Sequence, residues 1–444
     1  MSKRVLLLTA PRPEPGYSPV HFGDNRPPQG LGYLSAFLEQ NNHTTKIVDL
    51  YAFGGDGFTN NAFVSQEEIG QQLDIDIDQT INEFRPDFIG MYVHTMSFES
   101  ACALSLYLRQ AFPSIKQVCG GPHPTLMPES IPDTFDFVVS GEGEYALVDI
   151  VEGRVSSRFT RGKRLSSEEL ENLSWPDFDH FWQKPYNWSL KLFNQNISPV
   201  FTICTSRGCP FHCRFCGVKK IYPKYICISA EHLFKRMRYL HSKYHVSIYY
   251  FREDNFTAHL GRLDRFCELI IDSGIDFKWV CESRVRELSC SLIAKMAEAG
   301  CIGLYIGCES GSSKVLETMR KDESVEDYLE KFPVLHKHGI ATYTTWVYGT
   351  PGESSEDRRL TDELIKHLNP VSVDRFVFIG IPISDFYEEI VREGKFEFMD
   401  KNGFMYPKGY LSLASHLYGP YDPRVSYVRN LYKDHDVKPI DVDW

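Results

Sequence analysis

The chain has 444 residues, 42% hydrophobic and 24% charged, a composition that suits a folded protein of two or three domains. Its 48 lysines and arginines against 59 aspartates and glutamates leave a formal net charge of −11. That balance disfavours a general nucleic-acid binder, since phosphate recognition needs a basic surface, and no apolar run is long enough for a transmembrane helix.

The N-terminus has a basic start and an apolar run, Val5 to Leu8, cut off by Pro11, Pro13 and Pro15. No small-residue cleavage site follows, so the run predicts a first strand rather than an export signal, and the expected location is cytoplasmic. In such a reducing compartment the 12 cysteines serve metals or packing. Cys102, Cys119, Cys267, Cys281, Cys290 and Cys301 are expected to be small buried hydrophobes.

Residues 1–150 then alternate. Strands are predicted at 5–8, 45–50, 88–93, 117–119 and 137–139, with helices at 30–40 and 99–111. Strands separated by helical patterns imply a doubly wound parallel sheet, a Rossmann-like α/β domain, with ligands beyond the carboxyl ends of its strands. Residues 151–197 lack periodicity but keep aromatic residues, which predicts a packed connector rather than a disordered linker. A second series runs from 198 to 390. Its strands are expected at 200–204, 247–251, 278–282, 303–307, 341–348 and 375–379, with helices between them, giving a partial (β/α)6 barrel rather than a full one of eight. Residues 391–444 are expected to form a small cap, with Gly409, Tyr410, His416, Tyr418 and Tyr421 lining or covering a pocket.

Directly after the first strand of this second series stands Cys204-Thr-Ser-Arg-Gly-Cys209-Pro-Phe-His-Cys213-Arg-Phe-Cys216. Thiolates suit iron–sulfur clusters and zinc. Structural zinc takes four ligands, usually from two separated C-x2-C pairs, and only one such pair exists here. An electron-transfer cluster would need a fourth cysteine, for which Cys204 and Cys227 are the nearest candidates. Three thiolates for a four-iron cube leave one iron open to a chelating ligand.

The segment resembles the radical S-adenosylmethionine (SAM) signature C-x3-C-x-aromatic-C, with Phe215 as the aromatic. The resemblance implies a [4Fe–4S] cluster on Cys209, Cys213 and Cys216 whose open iron binds SAM, and reductive cleavage of SAM to a 5′-deoxyadenosyl radical. It extends over roughly 198–385. Phe251-Arg-Glu253-Asp254 resembles the acidic strand end that receives the SAM amino group, with Glu253 and Asp254 both open as the acting residue. Arg284 is the candidate for the SAM carboxylate or for a salt bridge. Gly307-Cys-Glu309-Ser310-Gly-Ser312 resembles the G-x-E-S-G-S segment, with Glu309 or Ser310 toward the ribose or amino-acid end. Gly349-Thr-Pro-Gly-Glu353 resembles the Gly-Pro-Gly-Glu turn near the adenine.

Residues 1–150 resemble the cobalamin-binding domain joined to many class B radical SAM enzymes. The matching pieces are Arg26–Tyr33, Pro86–Gly90, Gly120–Thr125 and Ser140–Glu144; Gly30, Gly120, Gly121, Gly141 and Glu142 within them, together with Thr95 after the third strand, are the candidate cobalamin contacts. The D-x-H-x-x-G loop that ligates cobalt from below is absent: the region reads Pro11–Gly16 and His21-Phe-Gly-Asp24. His94 and His123 lie at strand ends without an implied role. The resulting expectation is a cobalamin-dependent enzyme that moves a methyl group to an unactivated carbon of a small molecule, served by an external reductant such as flavodoxin or ferredoxin. Its rivals are a cobalamin-independent radical rearrangement, cyclisation, dehydration or epimerisation, and a non-catalytic iron–sulfur electron-transfer protein.

Overall fold

The computed structural model describes residues 2–11, 26–51, 77–176, 178–182, 186, 188–192 and 195–442. The loop sequences Arg12–Gly16 and His21–Asp24 lie outside the described residues. The chain forms two compact units, Met1–Asn187 with Met399–Phe404 and Ser426–Val428, and Trp188–Phe398 with Met405–Val425 and Arg429–Trp444.

The first unit is built on a parallel sheet of β1 (Arg4–Thr9), β2 (Thr44–Asp49), β3 (Phe88–Tyr92), β4 (Lys116–Gly120), β5 (Phe137–Ser140) and β6 (Phe159–Arg161). Their spatial order is β2-β1-β3-β4-β5-β6. Val5 to Leu8 are fully buried, as strands covered on both faces must be. Leu6, Leu8, Ile89 and Met91 pack with Ala101, Leu104 and Leu108 of helix Phe98–Ala111. The order reverses between β1 and β3, the switch point beside which open sheets of this kind hold ligands. Part of the stretch expected to be a connector contributes β6, which pairs with β5 through Val138↔Phe159 and Ser140↔Arg161. Three residues with an exposed Phe159 leave no apolar run to read. Beyond β6, Pro176 and Phe181 press on helix Gln29–Gln40 at Gly32, where an added Cβ would lie 2.8 Å from Pro176 Cβ.

The second unit carries six parallel strands in sequential order: β7 (Val200–Ile203), β8 (Ile248–Phe251), β9 (Lys278–Ser283), β10 (Cys301–Glu309), β11 (Ala341–Tyr348) and β12 (Ser372–Val377). This is the expected partial barrel. Its helices start where the sequence supplies caps: Ser229, Ser289, Ser312, Ser324 and Ser354 each accept a backbone N–H from the first turn. One face of the sheet is sealed, with Phe251 and Trp279 packed on Phe266 of helix Leu260–Ser273. On the other face Glu282, Tyr305, Thr345, Val347 and Phe376 are only half-buried. Tyr250, Tyr305 and Tyr343 stack across three strands there, at 5.2 and 4.8 Å between ring centroids.

In the tail Tyr410 is buried and the Tyr418 hydroxyl accepts from Val377 N at 3.0 Å, closing the end of β12. Tyr421 is 93% exposed. Among the cysteines expected to be buried, Cys102 is only half-buried and Cys290 departs from the reading. It is exposed at the first position of helix Cys290–Glu298, where the side chain faces away from the core. Among the described residues no helix is long and apolar enough to cross a membrane.

Candidate functional site

The strand ends of the second unit converge on the cysteine loop. Gly208 enters it at φ +78°, and a Cβ there would lie 2.8 Å from Lys224 O, so the turn requires glycine. Cys216 N donates to Cys213 O at 3.1 Å, folding the C-x2-C pair into a turn, and Val218 N points at Cys216 Sγ from 3.5 Å. The loop is clamped from outside the motif. Arg214 N donates to Met319 O, Phe386 N donates to Arg214 O, and the Arg214 guanidinium lies over the Phe386 ring and pairs with Glu389. Phe215 packs into the apolar cluster of Val315, Met319, Phe378 and Phe386. Nothing in the motif marked Arg214 as an anchor, because its partners lie 104 to 175 residues away.

Burial raises the pKa of all three thiols, that of Cys216 to about 12, and Cys209 and Cys213 each add to the shift on Cys216. The three are therefore close. Yet among the described residues no three His, Cys, Asp or Glu side chains converge as a single ion requires. Three thiols in one short loop, one fewer than the four ligands of structural zinc, make a donor set that fits a cluster held by three residues. Cys204, past the end of β7, donates its thiol to Arg252 O at 2.9 Å, and Cys227 sits on the strand Ile226–Cys227 paired with Ser206–Arg207.

The two acids after β8 have different surroundings. The buried Glu253 carboxylate accepts from the backbone and hydroxyl of Thr205 and from the hydroxyl of Ser206, and Arg262 donates to the same Thr205 oxygen. Glu253 thus ties β8 to the start of the cysteine loop. Asp254 reaches solvent while protein crowds it, as a group lining a concavity does. Burial and then the Glu253 charge push its pKa up to about 6, against the Gly208 N–H that donates to it. Its charge is felt at Cys209 and Cys216.

Arg284, after β9, is buried with its guanidinium 3.6 Å from the Phe211 ring centroid, inside the cysteine loop. It donates to Lys321 O and lies 3.5 Å from Glu323. Lys321 Nζ donates to Glu309 at 3.4 Å and stands 3.5 Å from Glu323. Burial opposes the charge on Lys321, and Glu309 and Glu323 more than offset it, holding its pKa above the ordinary lysine value. Glu309 takes φ +64° beside a register shift in β10, which turns its carboxylate under the strand end. A Cβ on Gly307 would meet that carboxylate at 2.4 Å. Lys321 and Glu323 carry no motif; Arg320-Lys-Asp-Glu323 reads as an ordinary solvated charge run.

Ser310 faces inward: its hydroxyl meets Thr361 at 3.2 Å and accepts from Ser312 N. An added Cβ on Gly311 would be 2.5 Å from Leu360 O, so this segment docks β10 on helix Ser355–Leu368. Glu353 folds back on its own turn. It accepts from Gly349 N and faces Arg358 at 3.4 Å, while Oε1 is buried without a partner among the described residues. Burial raises its pKa to about 7. A carboxyl raised above its unfolded value contributes stability fully present below the unfolded pKa and lost as pH rises through about 7. Glu353→Gln is expected to remove that decline, leaving the variant more stable than the parent at pH 8 by about 1–3 kcal/mol and close to it at pH 5. Thermal melts at the two pH values check this.

In the first unit the candidates lie along the carboxyl edge of the sheet. Gly120 ends β4, Gly121 follows at φ +112°, and a Cβ on Gly121 would strike Val93 O and the Tyr92 ring at 2.9 Å. Gly141 stands at φ +86° and donates its N–H to Thr125 at 2.8 Å. Around Gly30 nothing lies within 4 Å of an added Cβ. Thr95 is buried in a short turn, and Glu142 is committed to Leu165 N at 2.7 Å. The shelf formed by Gly120, Gly121 and Gly141 suits the close approach of a flat macrocycle. His123 is a packed ring, stacked 4.0 Å from Phe98 with Nε2 against Ser130, and burial lowers its pKa to about 4.

Comparison with known proteins follows the same division. The radical SAM superfamily model matches residues 203–365 and the B12 binding domain model matches 20–151. An uncharacterized methyltransferase of Pyrococcus horikoshii is 26% identical over 389 residues, covering 83% of this chain and 79% of that one. The anaerobic magnesium-protoporphyrin IX monomethyl ester cyclase of Rubrivivax gelatinosus is 23% identical, covering 86% and 70%. The radical SAM methyltransferase TsrM of Kitasatospora setae, solved with tryptophan and a SAM analogue, shares the fold at TM-score 0.70 and 15% identity, over 94% of this chain and 88% of that one.

Proposed function

From the premise that the chain joins a radical SAM domain to a B12 binding domain, we propose that it is a cobalamin-dependent radical SAM methyltransferase acting on a carbon of a small molecule. The observation that carries this is the three-cysteine loop at the mouth of a parallel partial barrel, in one chain with a glycine-edged doubly wound sheet. When bound, the cluster, SAM and cobalamin supply the reductive cleavage of SAM and the methyl group.

The protein's own residues hold and orient. Cys209, Cys213 and Cys216 would hold the cluster. Asp254, the acid left open beside the loop, takes the SAM ammonium by a charge-assisted hydrogen bond. Glu253 holds the loop in place for that contact. Gly349–Glu353 forms a closed turn whose backbone offers an edge to the adenine, and Gly120, Gly121 and Gly141 give cobalamin a flat seat. The half-buried face of β9–β12 receives the substrate. The reductant is an external one-electron donor of the flavodoxin or ferredoxin kind, which Lys219 and Lys224 beside the loop suit by charge.

Likeness to the cyclase favours one second reading, radical chemistry on a small molecule without methyl transfer. Anaerobic reconstitution with iron, sulfide and hydroxocobalamin, followed by reduction with SAM, separates the two. The proposal expects 5′-deoxyadenosine together with a corrinoid that co-elutes with the protein. 5′-Deoxyadenosine without retained corrinoid supports the second reading, and a reduced cluster that never cleaves SAM removes both.

A further inference from the structure

Beneath the cysteine loop lies a buried chain of charges that no motif announced: Glu309, Lys321, Glu323 and Arg284, with Arg284 flat against Phe211. Two carboxylates meet two cations, so the group is neutral as a whole. Glu323 is its hub. Its side chain is wholly buried; Oε1 accepts from Val285 N at 2.8 Å and Arg286 N at 3.3 Å, while Oε2 faces both Lys321 and Arg284 at 3.5 Å. The carboxylate therefore joins the end of β9 to the Lys321 segment and is the ion-pair partner of the guanidinium that lies under the loop. The group touches the loop itself: Phe211, the ring under which Arg284 lies at 3.6 Å, is two residues from both Cys209 and Cys213.

The geometry points to Glu323 as a positioning residue: by pinning Arg284 under Phe211 and balancing Lys321, it fixes the loop and sets how readily the bound cluster accepts an electron. The inference rests on the reading of the loop as a [4Fe–4S] site. Reduction adds one negative charge to the cluster. Removing a nearby negative charge favours the reduced form, and removing a nearby positive charge disfavours it. In a dry site these effects are only weakly screened.

The test is spectroelectrochemistry of the anaerobically reconstituted full chain, without substrate, so that turnover plays no part. Wild-type iron and sulfide content is measured first; absence of a cluster there sinks the reading of the loop, separately from this proposal. Glu323→Gln is expected to move the midpoint potential upward and Lys321→Met downward. Glu323→Asp, which keeps the charge but shortens the reach, should hold the potential near the parent's and lose iron several-fold faster on dilution. Glu356→Gln, on an exposed acid of helix Ser355–Leu368, should shift neither. A merely structural role would move both charge variants the same way, and that result, or potentials within the scatter of Glu356→Gln, overturns the proposal. Should neither charge variant retain its cluster, hydrogen exchange of the cluster-free protein decides. Faster exchange over residues 209–216 in Glu323→Gln supports it, and unchanged exchange overturns it.

Discussion

Replacing any one of Cys209, Cys213 or Cys216 with alanine is expected to abolish 5′-deoxyadenosine formation and to strip the reconstituted protein of most of its iron and sulfide. A cube held by three thiolates has no spare anchor, and the neighbouring acceptors do not substitute. Cys204 is occupied with Arg252 O and Cys227 lies in a paired strand. Cys204→Ala and Cys227→Ala are therefore the informative companions: both should keep their iron and their SAM cleavage. Iron loss in either would mean a fourth protein ligand, closing the corner SAM needs and reviving the electron-transfer reading. Circular dichroism and melting of the cluster-free variants should match the parent, because the loop is clamped through Arg214, Phe215 and Phe211 rather than through sulfur.

The second large effect separates two adjacent acids. Glu253→Gln removes the charge from a carboxylate that three donors share. Each charge-assisted bond contributes more than a neutral one, so roughly 2–4 kcal/mol of stability should go, seen as a lower melting temperature even without cofactors. Asp254→Asn makes no such internal loss. Its melting temperature should stay near the parent's, since the side chain is exposed. Instead its affinity for SAM should fall about ten- to hundredfold, the equivalent of one charge-assisted hydrogen bond. Calorimetric titration of SAM into the reconstituted variants measures this. The opposite pattern, with Asp254→Asn unstable and Glu253→Gln weak in SAM, would reassign the acid.

The sequence carried the barrel well because parallel strands buried on both sides read as short apolar runs, and serines at helix starts mark where each crossover begins. Ala341–Tyr348 and helix Ser355–Leu368 were legible to the residue. Strand β6 was not, since its three residues borrow their order from β5. The three candidate cysteine ligands were legible as a set because the loop supplies all of them within eight residues. The different surroundings of Glu253 and Asp254 were not, because both lie in the bend after β8 and only contacts with Thr205 and Ser206, nearly fifty residues earlier, enclose Glu253. Arg284 and Glu309 were visible as strand-end residues, but their partners Lys321 and Glu323 come from beyond a helix. Pairing across such separations leaves no local trace. For Ser310, the motif was visible while its commitment to Thr361 was not.

The two sides of the second sheet differ in what they tolerate. On the sealed side each large ring is wedged among others, so a change of shape there is felt throughout the packing. On the other side Tyr305 is held in its stack with Tyr250 and Tyr343, Glu282 accepts from the Tyr250 hydroxyl and Val347 packs on the cluster that holds Phe215, which leaves Thr345 and Phe376 as half-buried positions outside these contacts. New substrate shapes are thus expected to be met at those two positions, without disturbing the wedged rings behind the sheet.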